Sequence, residues 1–179
     1  MQDHFEIVEY SPAWKLSFQA ERERIKNYPF NAIAIEHVGS TAIQGQLAKP
    51  VIDIFIAVPL LQDVSYYESI LSKPDYFFVK TGMKERLLFA KHSNGIWTHN
   101  LHILPYSESF YCRNEFLFLE YLKAHADKVI QYGKLKRKLK ENPDLSIEEY
   151  TRQKTDFIQE VVDLARKEKG LPLENVWEE

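Results

Sequence analysis

IAIEHVGSTAIQGQLAKPVIDIFIAV, residues 33–58, divides into two strand-like halves around a small polar turn. Ile33, Ile35 and Val38 suit a half-buried strand; the pattern stops at Gly39-Ser40-Thr41 and resumes at Val51 as a β-branched, aromatic run. Ser40 or Thr41 is expected to cap a short helix in the turn. Backbone N–H groups and hydroxyls would then converge on a point suited to an anion. Asp53 stands inside the second strand, where a carboxylate is disfavoured and costly to bury without a partner. A metal or a cationic ligand is the simplest one.

Working outward, 179 residues with 45% hydrophobic and 13% aromatic content are enough to bury a core. One domain is expected, with a sheet core over about residues 1–110 and a helical extension over about 115–170. A net charge of −3 gives no general attraction to nucleic acid. The single cysteine, Cys112, excludes an internal disulfide and a Cys-rich zinc site, and it suits a reducing compartment, so a cytoplasmic location is expected. The opening MQDHFEIVEY has neither a basic region nor an apolar core, and no run approaches about 18 uninterrupted apolar residues, so no membrane partner is expected.

Along the chain, FEIVE (residues 5–9) reads as an edge strand, and Ser11-Pro12 opens a helix to about Lys26. Trp14, Phe18, Ala20 and Ile25 form its apolar side, and Glu21 to Arg24 read as a solvated charged face. Residues 60–72 read as a helix. Residues 76–80, 86–91 and 97–104 read as strands, the last two joined through Asn94-Gly95, a strong hairpin signal. A period of two in the last strand puts Thr98, Asn100 and His102 on one face and Trp97, His99, Leu101 and Ile103 on the other. Residues 116–126, 128–141 and 146–169 read as helices, with a break at Asn142-Pro143-Asp144 and a capping box at Ser146 to Glu149. The tail after Gly170 reads as an irregular arm docked through Trp177.

Gly39-Ser40, twelve residues and then Asp53 in an apolar strand resemble the signature of the DNA polymerase β-like nucleotidyltransferase superfamily. There a Gly-Ser turn holds the triphosphate and carboxylates on the next strand hold Mg²⁺. More narrowly, HVGSTAIQGQLAKPVIDI resembles the GrpB family, also called UPF0157, and THNLHILP, EYLKAH, YGKLKRKL and YTRQKTDFI extend the resemblance over most of the chain. The resemblance implies an α/β fold with a nucleotidyltransferase-like mixed sheet flanked by helices and a C-terminal helical portion closing over a cleft. It also implies transfer of a nucleotidyl group from a nucleoside triphosphate to a hydroxyl. The superfamily's second acid would stand two positions after Asp53, where this chain has Phe55. The strand of His102 corresponds in order to the one that supplies the superfamily's third acid.

Candidate chemistry follows from these placements. Gly39, Ser40 and Thr41 would meet a phosphate, although Walker A spacing is absent. Asp53 is the first candidate metal ligand; its structural alternatives are hydrogen bonds from the turn or a pair with Lys49. His102 and His37 are the further ligand candidates, and His102 also suits general-base work near neutral pH. The cofactor would be a divalent cation, Mg²⁺ or Mn²⁺, with a transition metal suiting a His/Asp set. Lys49, Arg86, Lys136 and Lys154 are the cations for phosphate. Tyr132 with Lys136 and Tyr150 with Lys154 stand at i,i+4, placing a ring and an ammonium on a common helix face. Residues 123–140 hold seven basic residues and one acidic, a local excess that suits a polyanion such as RNA or the outer face of a helix. The expected partner is a nucleoside triphosphate or another phosphorylated small molecule. Loss of the second acid leaves two other readings open, a non-catalytic nucleotide- or anion-binding module and a metal-dependent phosphohydrolase.

Overall fold

Strand β2, Ile52–Val58, shows how the apolar run is used. Its even-numbered residues, Ile52, Ile54, Ile56 and Val58, enter one core with Trp14, Ile25, Tyr67 and Phe89, while Phe55 and Ala57 enter a second core on the opposite face with Val38, Leu104, Phe110 and Phe116. A strand buried on both faces reads as a continuous hydrophobic run, and Asp53 is its one polar interruption.

The computed structural model describes residues 6–71, 75–142 and 146–176. Among these, five strands form one mixed sheet in the order β1-β2-β5-β4-β3, comprising β1 Ala34–Val38, β2, β3 Tyr76–Val79, β4 Leu87–Ser93 and β5 Ile96–Pro105. β2 and β5 are parallel and every other neighbouring pair is antiparallel. The expected mixed sheet, and with it the α/β class, is therefore present. Asn94 and Gly95 both adopt positive φ (52° and 76°), as a two-residue hairpin turn requires.

Helices α1 (Ala13–Lys26) and α2 (Val64–Ile70) accompany the first core. Ser11 Oγ accepts the Ala13 N–H at the start of α1, and Asp63 caps α2 through the Tyr66 N–H. On the other face, α3 (Asn114–Ala124) packs Phe116 against the sheet. Leu119 and Leu122 of α3 then meet Tyr132 of α4 (Ala126–Lys140) and Val161 of α6 (Thr155–Glu168). The expected capping box at Ser146 opens α5, Ile147–Gln153.

Four expectations need correction. Residues 146–169 are two helices parted at Lys154 rather than one. Glu21 is not solvated: it is 2% exposed, accepts a hydrogen bond from Tyr76 Oη and is paired with Lys91 Nζ. Trp97 shares the face of Asn100 because a register shift between Lys91 and His92 breaks the alternation at the start of β5. Of the proposed edge strand, Val8 makes only an isolated bridge to Ala48, while Phe5 lies outside the described residues. Ser72, the Pro143-Asp144 part of the break, and Trp177 also lie outside them. No helix among the described residues is long and apolar enough to cross a membrane.

Candidate functional site

The floor of the site follows from register. Asp53 on β2 lies beside Asn100 on β5, and Phe55 lies beside His102, so these side chains share the sheet face away from α1. The indole N–H of Trp97, which can only donate, bonds to Asn100 Oδ1 at 3.0 Å. That fixes the amide so that Asn100 Nδ2 donates to Asp53 Oδ1 at 2.8 Å. His102 Nε2 lies 3.8 Å from the same oxygen. Asn100 is the hydrogen-bond donor to Asp53 here, in addition to the electrostatic attraction between Asp53 and Lys49. The carboxylate is 31% exposed. Burial presses its pKa upward, but the nearby imidazole, the Asn100 amide and the Lys49 ammonium more than offset that, so it lies below the ordinary carboxylate value.

The turn after β1 forms one wall. Gly39, with φ +73° and ψ −174°, stands at the N-cap of a three-residue 3-10 turn, Ser40–Ala42, without a side-chain cap. This corrects the expected cap by Ser40 or Thr41. Ser40 Oγ instead accepts from Lys136 Nζ at 2.7 Å, and Thr41 Oγ1 bonds with His37 Nε2 at 2.9 Å.

The helices form a second wall, joined to the turn by that Lys136–Ser40 bond. Lys136 is 1% exposed; its ammonium also donates to the Leu47 carbonyl at 2.8 Å and stands 4.0 Å from the centre of the Tyr132 ring. No ion pair among the described residues includes it. Burial, with the charge of Lys154, holds its pKa well below the ordinary lysine value. Lys154 Nζ lies 4.2 Å from the Tyr150 ring centre, and burial, then Lys49, push it down to about 8 against the pull of Asp53. Lys49, 5.5 Å from the Trp97 ring centre, is likewise lowered by burial, with Asp53 acting the other way. Both expected tyrosine–lysine pairs therefore come together at this wall.

A third group, Arg86 with Asn114 and Glu115 of α3, adds to the lining. Arg86 lies over the Phe55 ring at 4.8 Å and donates to Glu115 Oε1 at 2.6 Å. Asn114 precedes Glu115 in α3 and accepts from Arg166 Nε at 2.9 Å.

These walls enclose a cleft of about 400 Å³ lined by Gly39, Ser40, Thr41, Lys49, Asp53, Arg86, His102, Lys136 and Lys154. Among the described residues, four lysine and arginine side chains line it with two carboxylates, Asp53 and Glu115, in a chain whose net charge is −3. Such a cleft favours an anion. His37 does not line it: its ring stacks on Phe18 with centroids 4.9 Å apart, and burial lowers its pKa to about 4 despite Asp53. Among the described residues, no group of three or more His, Cys, Asp or Glu side chains is arranged to hold a metal. Asn100, Trp97, Asn114 and Glu115 are cleft residues that the motif did not single out. For Asn100 a signal was present, because the period of two placed it on the face of His102.

The family model described as GrpB protein matches residues 4–164. The UPF0157 protein YqkA of Bacillus subtilis is 33% identical over 165 residues, covering 90% of this chain and 47% of that protein. The chain thus spans about half the length of that relative. The glutamate-rich protein GrpB of Alkalihalophilus pseudofirmus is 31% identical over 163 residues, covering 87% and 92%. The crystal structure of conserved protein GrpB from Enterococcus faecalis superposes with a TM-score of 0.82 at 28% identity, covering 92% of this chain and 99% of that one.

Proposed function

This chain belongs to the GrpB family, and from that premise we propose that its cleft binds a nucleoside triphosphate and transfers a nucleotidyl group to a hydroxyl acceptor. The observation that carries this reading is the convergence of Ser40, Lys49, Lys136 and Lys154 around Asp53 in one cleft. Lys136, 1% exposed and in no ion pair among the described residues, would be stabilised by a bound anion, and a triphosphate supplies several negative charges at once.

The donor set bears on the cation. Mg²⁺ takes one or two carboxylates together with phosphate oxygens and water, and Asp53 fits that contribution. An Asp/His transition-metal site fits less well: a ligating imidazole ordinarily donates its second N–H, and His102 Nδ1 has no partner among the described residues. Bound at Asp53, Mg²⁺ or Mn²⁺ would neutralise charge on the phosphates. Ser40 and the lysines hold the triphosphate. The acceptor oxygen bonds to the α-phosphorus, the bond from phosphorus to the bridging oxygen breaks, pyrophosphate leaves, and the hydroxyl proton passes to His102.

Phe55 favours a second reading. It is buried under Arg86 where the superfamily's second carboxylate would stand, and a binding module without transferase activity needs no second carboxylate. Calorimetric titration of nucleoside triphosphates with Mg²⁺ or Mn²⁺, beside turnover of labelled nucleotides across hydroxyl acceptors, separates the readings. Transfer with pyrophosphate release supports the enzyme. Saturable binding without turnover supports the module, phosphate release without an acceptor supports hydrolysis, and absence of binding overturns all three.

A further inference from the structure

Four buried side-chain polar atoms lack a hydrogen-bond partner among the described residues, and three belong to residues lining the cleft: His102 Nδ1, Asn114 Nδ2 and Glu115 Oε2. Buried polar groups are ordinarily satisfied, so these atoms single out the cleft, and two of them stand on consecutive residues, Asn114 and Glu115, at the start of α3. Asn114 and Glu115 do not belong to the lysine cluster that meets the triphosphate.

The bonds on their other sides fix what each can recognise. Arg166 donates from Nε to Asn114 Oδ1 at 2.9 Å. A guanidinium cannot accept, so the amide cannot be flipped and its remaining atom, Nδ2, is a donor. Arg166 is 3% exposed and is held in turn by the Pro172 carbonyl and Glu174, while Asn114 is 6% exposed, so the donor is presented by a braced side chain. Arg86 occupies Glu115 Oε1, leaving Oε2 as an acceptor. A donor and an acceptor on consecutive residues thus line the same cleft as the half-buried Phe118, one helical turn along α3.

We propose that Asn114 and Glu115 form a recognition subsite for the edge of a nucleobase, with Phe118 as its apolar wall. The proposal rests on the nucleotide reading above and adds what that ligand presents at the end away from its phosphates. A base edge is planar and neutral and carries an amino or imino N–H beside a ring nitrogen or carbonyl. The N–H would donate to Glu115 Oε2 and the neighbouring acceptor would receive Asn114 Nδ2–H. A site that leaves such groups unmet discriminates against ligands lacking the complement.

The test titrates inorganic tripolyphosphate and the four ribonucleoside triphosphates into the wild-type chain, Glu115→Gln and Asn114→Asp. In Glu115→Gln the new carbonyl must face Arg86, so an NH₂ replaces Oε2 and the acceptor becomes a donor. In Asn114→Asp the donor becomes an acceptor. The readout is the ratio of nucleotide to tripolyphosphate affinity, which normalises any change at the phosphate end. At least one nucleotide is expected to bind the wild type about tenfold more tightly than tripolyphosphate. Each variant is expected to reduce that ratio about tenfold for the preferred base and to reorder the four. Tripolyphosphate binding as tightly as every nucleotide to the wild type overturns the subsite alone. An equal change for all four in the variants also overturns the base assignment, because it points to the sugar. No binding of any polyphosphate to the wild type overturns the nucleotide reading, and the subsite with it.

Discussion

Asp53 Oδ2 occupies the space that a side chain on Gly39 would need: an ideal Cβ at position 39 would lie 2.6 Å from that oxygen. The glycine of the motif is therefore explained by the carboxylate as well as by its own backbone, whose φ of +73° with ψ of −174° is a conformation almost confined to glycine.

Gly39→Ala is accordingly expected to destabilise the chain by about 1–3 kcal/mol from backbone strain alone and to push the Asp53 carboxylate from its place. Urea denaturation reads the first effect and nucleotide calorimetry the second. A variant matching the wild type in both would show that the close approach is incidental.

Proton linkage gives the lysine cluster a distinct signature. Lys154 is held at about 8, below the ordinary lysine value. Between that pH and about 10.4 the unfolded chain binds more protons than the folded one, so this group makes stability rise with pH across the window. An anion beside Lys154 favours the ammonium, so binding near pH 8.5 takes up protons and affinity falls as pH rises through about 8. Titrations of tripolyphosphate in buffers of different ionisation enthalpy should report that uptake, and Lys154→Met should diminish it. Heats independent of the buffer would remove Lys154 from the site.

Much of this site was legible because it depends on local rules. The strand-turn-strand unit around Gly39-Ser40, the Asn94-Gly95 hairpin and the separation of His99 from His102 follow from turn chemistry and alternation. His99 indeed bonds with Ser17 on α1 while His102 faces the cleft. The misplaced residues depend on long-range pairing or local irregularity. Glu21 sits in a run of charges, and nothing within α1 says that β3 and β4 deliver Tyr76 and Lys91 to it. Trp97 changes sides through a strand irregularity, and the parting of α5 from α6 at Lys154 has neither glycine nor proline to announce it. Asn114 and Glu115 acquire meaning only once Arg166 and Arg86 have fixed the orientation of their side chains.

The Glu21 network supplies a test that separates stability from the cleft, since it lies on the other face of the sheet. Glu21→Ala strands the Lys91 ammonium, itself 7% exposed, and should cost about 3–5 kcal/mol, as removal of one member of a buried ion pair does. Adding Lys91→Met should recover part of that loss, and a thermodynamic cycle in urea measures the coupling. A loss below about 1 kcal/mol for the single variant would mean that the network is solvated.

The role given to Asp53 can be isolated by removing its charge while keeping its shape. In Asp53→Asn the side-chain carbonyl still accepts from Asn100, so the floor of the cleft keeps its hydrogen bond. The carboxylate opposes a phosphate when no cation is present and recruits the cation when one is. Removing it should therefore leave metal-free tripolyphosphate binding equal to or tighter than that of the wild type, because a repulsive charge has gone from the cleft. It should also abolish the gain on adding Mg²⁺, expected to be about tenfold for the wild type where one carboxylate and the phosphates share the ion. Calorimetry in chelator and in Mg²⁺ gives all four affinities. If the Mg²⁺ gain survives in Asp53→Asn, the ion is held elsewhere or travels with the polyphosphate alone, and Asp53 serves only to order Asn100 and His102.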